Sequence, residues 1–354
     1  MMLFVFSILC AFVQVTCLNP RSHWTLLPHI LVLNVDGTLG QYPLSCLEED
    51  PLKRDNHTQE IFWRRNGVEE AQRGNTHMVQ LVESFGGGNY TCHREDGTLL
   101  NHTEVLIMQD ESKRRRILVK TEQEYLKCST QNYNGEFHCS WTWHSSRVSK
   151  IAFIKAQRGS GDNNTQCSVD ASDQHWMCTS AHRNFSCSVD GSRSGVSCRD
   201  KQHCPFAEEK QPIHMTVYVR TDHFLLESYS KLFLLSEIVK PDKVRIGKVN
   251  TTVVEWSYPS SWSTPYSYFP LTFQIFQVRG RCRKCENPCA GSKPPKALTI
   301  HSTDICQFKV KHKVKAVCVR AKDALCDSEW SEWSHVRLRR NGKSKKYKQH
   351  KKYA

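Results

Sequence analysis

The sequence lacks helical periodicity: no segment repeats apolar residues at a spacing of about 3.6 for longer than a turn or two. This absence excludes helical bundles and folds in which helices cover a sheet. The sequence instead contains short alternating segments, such as PLTFQIFQV at 270–278 and HKVKAVCVRA at 312–321. Alternation of apolar and polar residues is typical of strands that bury one face. We therefore predict an all-β fold.

A transmembrane helix is also lacking after the first residues, because no later apolar run approaches ~20 residues. KLFLLSEIV, the strongest later stretch, predicts a buried strand. Residues 1–17 are largely apolar and end in small residues, which predicts a signal peptide, although the usual positive charge is missing. A signal anchor is the alternative, but the polar segment NPRSHW follows at once. We expect a secreted, extracellular chain with no membrane span.

Catalytic motifs are absent as well. The sequence contains no His-Glu-x-x-His, no nucleophile elbow and no phosphate-binding loop, and its 17 histidines are scattered. Cys282, Cys285 and Cys289 follow a C-x2-C-x3-C spacing, but the set is incomplete as a zinc site and the compartment disfavours one. We expect no enzymatic activity, no cofactor and no nucleic-acid partner.

Cysteine, in contrast, is abundant. Of 17 cysteines two fall in the predicted signal peptide, which leaves 17 − 2 = 15. In an oxidising compartment most of these pair, and the odd number requires that at least one is free or bonds another chain. Five Asn-x-Ser/Thr sequons are expected to carry glycans: Asn56, Asn101, Asn163, Asn184 and Asn250. We do not expect a sixth, at Asn89, to be used.

Residues 18–108 have the pattern of an immunoglobulin-like sandwich. Cys46 and Cys92 enclose Trp63, and Tyr90 precedes Cys92 by two positions. This pattern predicts a disulfide between two sheets, a tryptophan packed on it and a tyrosine corner.

Residues 109–240 form a second predicted unit of fibronectin type III-like type. Asn134-Gly135 lies between Cys128 and Cys139 and is a strong hairpin signal, so this pair is expected to link neighbouring strands. The next four cysteines are expected to pair in a nested order, Cys167 with Cys198 and Cys178 with Cys187.

Residues 241–336 form a second fibronectin type III-like module, which starts where Pro241 interrupts a strand. It ends in a repeat of Trp-Ser around one glutamate. Two tryptophans three apart lie on the same side of a polyproline-like backbone and can stack with cations from alternate positions of a neighbouring strand. We predict a structural clamp, called the Trp-Ser clamp below, made by Trp330, Ser331, Glu332, Trp333, Ser334, Arg320 and Lys322.

The basic tail, residues 337–354, holds nine of the Lys and Arg residues and no acid, so that the +14 formal charge falls to 14 − 9 = +5 without it. A block of like charges is typical of a disordered, solvated end. Binding to heparan sulfate is the alternative, since clustered basic residues attract polyanions.

A family resemblance rests on these segments. WSEWS resembles the Trp-Ser-x-Trp-Ser box of class I cytokine receptors, and the spacing from Cys128 to Trp141 resembles their first cysteine hairpin. An immunoglobulin-like domain ahead of two such modules resembles the beta chains of the interleukin-12 family of cytokines. The similarity is closest in NYNGEFHCSW, CPFAEE, IVKPD, WSTPYSYFPLTF and VRAKD.

The resemblance implies a receptor-like subunit that covalently holds a four-helix-bundle alpha chain and engages a class I cytokine receptor through its first domain. It implies that Cys204 bonds the alpha chain, that Asp323 receives an arginine from it, and that Glu208 and Tyr268 line the same pocket. A homodimer stays open, as does a soluble decoy receptor that binds a helical cytokine reversibly. The connectivity of the third-domain cysteines also stays open: Cys282, Cys285, Cys289, Cys306, Cys318 and Cys326.

Overall fold

The computed structural model describes residues 23–35, 40–48, 61–81, 86–109, 116–146, 148–159, 166–170, 172, 175–179, 184–249, 252–278, 300–311 and 314–338. Several sequence predictions lie outside these residues: the signal peptide, the sequons at Asn56, Asn163 and Asn250, the spacing motif at Cys282, Cys285 and Cys289, and the basic tail from 339 onward. No helix within the described ranges has both the length and the apolar character needed to cross a bilayer.

The chain divides into two compact units. The first comprises residues 1–117, 145–153 and 218–228, and the second comprises residues 118–144, 154–217 and 229–354. The described residues form β-strands and a single short helix, which confirms the predicted all-β class. The division into three domains stays a prediction.

The first unit is built on eight consecutive strands. They are β1 (His23–Leu27), β2 (Ile30–Val35), β3 (Gly40–Ser45), β4 (Ile61–Arg65), β5 (Val68–Arg73), β6 (Thr76–Leu81), β7 (Gly88–Arg94) and β8 (Leu99–Gln109). Strand β8 pairs antiparallel with β7 and parallel with β2, and β4 lies between β7 and β5. Strands β3 and β6 form a separate antiparallel pair.

The core of this unit has the immunoglobulin pattern. A disulfide joins Cys46 to Cys92, and Trp63 lies directly opposite Cys92 in the β4–β7 ladder. The buried Tyr90 donates its hydroxyl hydrogen bond to the carbonyl of Gly86 over 2.9 Å, which makes the tyrosine corner. Gly86 has φ +108°, and a Cβ there would lie 2.4 Å from the backbone oxygen of Gln80, so only glycine fits.

The middle of the chain contributes the next strands and the helix. They are β9 (Leu118–Val119), β10 (Lys127–Ser129), β11 (Glu136–Ser140), β12 (Thr142–Trp143), β13 (Ser149–Arg158), β14 (Gln166–Val169), β15 (His175–Thr179), β16 (Asn184–Val189), β17 (Gly195–Asp200), β18 (Ile213–Thr221), β19 (Leu225–Phe233) and α1 (Leu235–Ile238). Strands β13, β18 and β19 contribute residues to both units. Six of the others form one antiparallel sheet in the order β10-β11-β17-β16-β15-β14.

The register of this sheet corrects the predicted nested disulfides. Cys167 lies opposite Cys178 in the β14–β15 ladder, and Cys187 lies opposite Cys198 in the β16–β17 ladder. These are the disulfides that form. In the β15–β16 ladder Cys178 faces Phe185 instead of Cys187. The nested pairing of Cys178 with Cys187 was therefore wrong, because that hairpin places the two thiols out of register.

The first cysteine hairpin has the expected form. Cys128 and Cys139 lie opposite each other in the β10–β11 ladder, with Cα atoms 4.0 Å apart, and form a disulfide. Gly135 has φ +82° at the turn between the strands, as its sequence signal required. Trp141 is buried just after β11.

The C-terminal part of the second unit forms two facing sheets. Its strands are β20 (Arg245–Val249), β21 (Val253–Ser257), β22 (Leu271–Val278), β23 (Ile300–Thr303), β24 (Gln307–Lys309), β25 (Ala316–Asp323) and β26 (Ser334–Arg337). One sheet has the order β20-β21-β24 and the other β23-β22-β25-β26. Trp256, Trp262, Phe269, Phe273 and Val319 belong to the shared core. Seven strands in two antiparallel sheets match the predicted fibronectin type III-like architecture.

Candidate functional site

The Trp-Ser clamp brings its predicted cations onto the tryptophans. The guanidinium carbon of Arg320 lies 4.8 Å from the ring centroid of Trp330 and 4.4 Å from that of Trp333. Lys322 Nζ lies 5.4 Å from the Trp330 ring. Arg320 therefore occupies the gap between the two indoles, and burial lowers its pKa. Strand alternation on β25 makes this possible, because positions 320 and 322 share a face.

The serines and the glutamate of the Trp-Ser clamp fix its backbone. Ser331 Oγ accepts the N–H of Ala321 at 2.9 Å, while Ser334 Oγ donates to the carbonyl of Val244 at 2.5 Å. Glu332 pairs with Lys240 at 3.0 Å, and this contact lowers the pKa of the carboxyl group. These contacts are all internal to the second unit, so they fit a structural role.

The Cys204 loop, residues 201–212 between β17 and β18, presents a thiol to solvent. Cys204 is exposed and free. Two aromatic residues close to it are also exposed, Phe206 at 53% and Tyr268 at 48%. Tyr268 donates its hydroxyl hydrogen bond to the carbonyl of Phe206 at 2.9 Å, and their ring centroids are 5.3 Å apart. The predicted pair Cys204 and Tyr268 therefore belongs to one surface.

Asp323 is buried at the end of β25, with only 2% of its surface exposed. Its Oδ1 accepts the backbone N–H groups of Leu325 at 2.6 Å and Cys326 at 3.1 Å. Its Oδ2 accepts the hydroxyl of Tyr133 at 3.0 Å. All three donors are neutral, and among the described residues no ion pair includes this carboxylate.

Tyr133 is the site residue that the sequence analysis missed. Its hydroxyl also lies 3.3 Å from Cys326 Sγ, which is a free thiol. Burial, together with Cys326 and Asp323, raises the pKa of the Tyr133 phenol, so it stays a neutral donor. The NYNGEF segment that holds Tyr133 carried a turn signal and part of the family resemblance, but neither gave its tyrosine a role.

Aromatic rings connect the Cys204 loop to Asp323. Tyr133 stacks on Phe269 with centroids 5.4 Å apart, and Phe269 lies 5.7 Å from Phe206. The aromatic series Phe206, Phe269, Tyr133 thus runs from a residue beside the exposed thiol to the buried carboxylate. Leu325, two positions after Asp323, is exposed. The surface combines a thiol, exposed aromatic groups and a buried anion, which is the composition of a protein-binding site.

Glu208 does not join this cluster. Its side chain is 81% exposed and pairs with Lys210 at 3.5 Å, on the solvent side of the Cys204 loop. The structure shows no contact between Glu208 and Asp323 or Tyr268. Its predicted role in the pocket stays a prediction.

The remaining predicted residues lie away from this surface. Cys306 is a free thiol, and Cys318 is buried and disulfide-bonded. Asn184 begins β16, where its neighbour Phe185 is buried, so Asn184 is directed to the outer face of the sheet. Asn101 uses Nδ2 to donate to the carbonyl of Cys46 at 2.8 Å. No cluster of metal-ligating side chains is found in the part of the chain that the structure describes.

Comparison with known proteins shows the family of this chain. The family described as "Cytokine interleukin-12p40 C-terminus" matches residues 123–221, a segment that contains Tyr133, Cys204 and Glu208. Interleukin-12 subunit beta of Ovis aries is 31% identical over 328 residues, which cover 88% of this chain and 92% of that protein. This chain belongs to the interleukin-12 subunit beta family.

Two further members of the interleukin-12 subunit beta family support the assignment. The protein of Sigmodon hispidus is 29% identical over 342 residues, covering 92% of this chain and 96% of its own length. The protein of Homo sapiens is 30% identical over 331 residues, covering 88% of this chain and 92% of its own length. The similarity therefore spans most of both chains, and the chain is a cytokine subunit with an immunoglobulin-like part and fibronectin type III-like parts.

Proposed function

We propose that this chain is a secreted beta subunit that binds a four-helix-bundle alpha chain, covalently through Cys204, and that the pair acts as one cytokine. The observation that carries the proposal is the surface on which exposed Cys204, Phe206 and Tyr268 adjoin buried Asp323. Family membership and the expected signal peptide support the same conclusion. The chain acts by binding and performs no catalysis.

Asp323 is proposed to receive an arginine of the alpha chain. A carboxylate oxygen has more than one acceptor position, so Oδ2, which accepts the Tyr133 hydroxyl, can accept a further donor. A guanidinium could therefore bond Oδ2 without displacing either backbone donor on Oδ1. A buried carboxylate paired with arginine is a strong and oriented contact. The guanidinium would supply the positive charge that the neutral donors around Asp323 lack.

Cys204 is proposed to lock the complex. Its thiol and a thiol of the alpha chain would be oxidised to one disulfide, with two protons and two electrons passed to an oxidant of the secretory pathway. The aromatic series runs from the Cys204 loop to the residue that bonds Asp323, which supports a single partner face that engages both. The first domain is proposed to contact a class I cytokine receptor chain.

The test is co-expression with the alpha subunits of interleukin-12 and interleukin-23 from the same species, followed by non-reducing electrophoresis of the secreted protein. We expect a larger species that requires the alpha chain and disappears on reduction. The Cys204→Ser variant should secrete only a noncovalent complex. Cys306→Ser is the matched control, because Cys306 is a free thiol away from this surface, and Cys326→Ser tests the free thiol of the Asp323 pocket. Both variants should leave the covalent species intact.

Two outcomes would contradict the proposal. A covalent species that persists in Cys204→Ser and disappears in Cys326→Ser would move the interchain bond to the Asp323 pocket. Reversible binding of a helical cytokine with no covalent species in any variant would favour the decoy-receptor alternative.

Two further proposals concern the remaining partners. The basic tail is proposed to bind heparan sulfate, which a comparison of heparin elution with and without residues 337–354 tests. Unchanged heparin elution without the tail would contradict this proposal.

A homodimer of this chain is tested by the size of the protein secreted without an alpha chain. A monomer would contradict it.

A further inference from the structure

The Cys204 loop has little regular structure of its own. Between β17 and β18 its internal backbone hydrogen bonds are those from His203 to Asp200 at 3.3 Å and from Ala207 to Cys204 at 3.1 Å, among the described contacts. A loop with so few local bonds must be held from outside if its thiol is to keep one direction.

Arg158, the last residue of β13, supplies that restraint. Its side chain is 3% exposed and lies under the loop. Nε donates to Asp200 Oδ2 at 2.7 Å, at the start of the loop. Nη1 donates to Glu209 Oε1 at 2.7 Å and to the carbonyl of Gln211 at 2.8 Å, near its end. One guanidinium therefore ties both ends of the loop together.

The fourth contact of Arg158 reaches the residue next to the thiol. Nη2 lies 3.1 Å from Nδ1 of His203, which directly precedes Cys204. Arginine has no acceptor, so Nη2 must donate and Nδ1 must accept. This bond exists only while His203 is neutral, because a protonated ring would direct an N–H at a cation.

We propose that Arg158 and the neutral imidazole of His203 position Cys204 for the interchain disulfide. The inference rests on the proposed function of Cys204 and adds two positioning residues that lie outside the binding surface. Glu209 extends the same network, since its Oε2 accepts the N–H of Leu235 at the start of α1.

The charged and titratable groups around His203 come from four elements. Arg158 faces it from β13, Asp200 from the end of β17, Glu209 from the loop itself and Tyr133 from the first cysteine hairpin. Burial and the charge of Arg158 lower the pKa of His203, and the two carboxylates oppose that effect. The neutral form is therefore favoured at neutral pH, and the loop should loosen in acid.

The first experiment measures which fraction of the secreted complex is covalent, by non-reducing electrophoresis after co-expression with the alpha subunit of interleukin-12. Arg158→Gln should lower that fraction about tenfold, since a displaced reacting atom loses rate steeply. Arg158→Lys should restore it only in part, because an ammonium cannot reproduce the fork. A purely structural role would lower the secreted amount and leave the covalent fraction unchanged.

Two His203 variants test whether the hydrogen-bond acceptor at Nδ1 is what the loop requires. His203→Asn places an amide oxygen where Nδ1 lies and should keep the wild-type covalent fraction, whereas His203→Phe removes the acceptor and should reduce it. If Arg158→Gln fails to fold, the comparison of His203→Asn with His203→Phe tests the proposal. A wild-type covalent fraction in His203→Phe, or in a folded Arg158→Gln, would overturn the proposal.

A partner-free measurement distinguishes this inference from the proposed function. Hydrogen exchange of residues 201–211, corrected for intrinsic rates, should lose protection between about pH 7.5 and about pH 5.5 in the wild type but not in His203→Asn. Equal pH dependence in both proteins would refute the role of His203. If the wild type shows the expected exchange but forms no covalent complex, the proposed interchain disulfide is wrong. The restraint of the loop by Arg158 and His203 would still be supported.

Discussion

The hydroxyl of Tyr133 donates to Oδ2 of Asp323 at 3.0 Å, although the two residues are 190 positions apart in the chain. The bond joins the turn of the first cysteine hairpin to the end of β25. It satisfies one oxygen of a buried carboxylate, and it places a phenol at the rim of the surface that also holds Cys204.

Replacement of Tyr133 by phenylalanine should therefore affect stability and binding together. The ring and its stacking on Phe269 remain, but Asp323 loses a donor while it stays buried. We expect the free energy of unfolding to fall by about 1–3 kcal/mol, measured by denaturant titration. Tyr266→Phe is the control, because Tyr266 is 43% exposed. Equal stability of the two variants would contradict the importance of the bond.

Arg320→Ala should destabilise the C-terminal part of the second unit. It removes a guanidinium that contacts both tryptophans of the Trp-Ser clamp and donates to Gln274 at 2.8 Å. We expect a loss of about 2 kcal/mol, since each cation–π contact contributes roughly 0.5–2 kcal/mol. The melting temperature provides the measurement. Arg199→Ala is the control because its pair with Glu136 is exposed and should contribute little.

Disulfide mapping should distinguish the two pairings of the six-stranded sheet. Peptide mass spectrometry without reduction should find Cys167 bonded to Cys178 and Cys187 bonded to Cys198. The Cys128–Cys139 pair serves as an internal standard, since both the sequence and the structure give it. Recovery of a Cys178–Cys187 peptide would show that β15 and β16 pair in another register.

Tyr90 should make stability fall at alkaline pH. Burial raises the pKa of its phenol to about 12 from the ordinary value of 10.0. Above pH 10 the unfolded chain then releases a proton that the folded chain keeps, so stability decreases as pH rises through this window. We expect Tyr90 to account for a loss of about 1 kcal/mol between about pH 9 and about pH 10.5.

Denaturant titrations of the wild type and Tyr90→Phe at several pH values measure this loss. The variant is less stable at pH 9, because it lacks the bond to Gly86, but the difference should shrink as pH rises. A constant difference would show that the phenol titrates equally in both states.

Local patterns in the sequence predicted some of these features well. The Trp-Ser clamp could be predicted because the tryptophans are three apart and their cations, Arg320 and Lys322, are two apart on one strand. The Cys128–Cys139 pair could be predicted because a turn signal lies between the two residues. Both predictions depend on residues that are close in sequence.

Features that depend on tertiary register could not be predicted in this way. The pairing of Cys167, Cys178, Cys187 and Cys198 depends on which residues oppose one another, and a shift of two positions exchanges the partners. Tyr133 was missed because its contact with Asp323 is long-range. The restraint by Arg158 was missed because an arginine at a strand end usually lies in solvent.

The three disulfides of the six-stranded sheet each close a loop with a sequence separation of 11 residues. Loops of equal size restrict the unfolded chain equally, by about 3 kcal/mol each in the chain-entropy description. Each bond fastens one hairpin and none links two hairpins, so reduction should proceed as three separate losses. Among the six disulfide-bonded cysteines of this sheet, Cys167 is the least buried. The disulfide of the β14–β15 hairpin should therefore be reduced first.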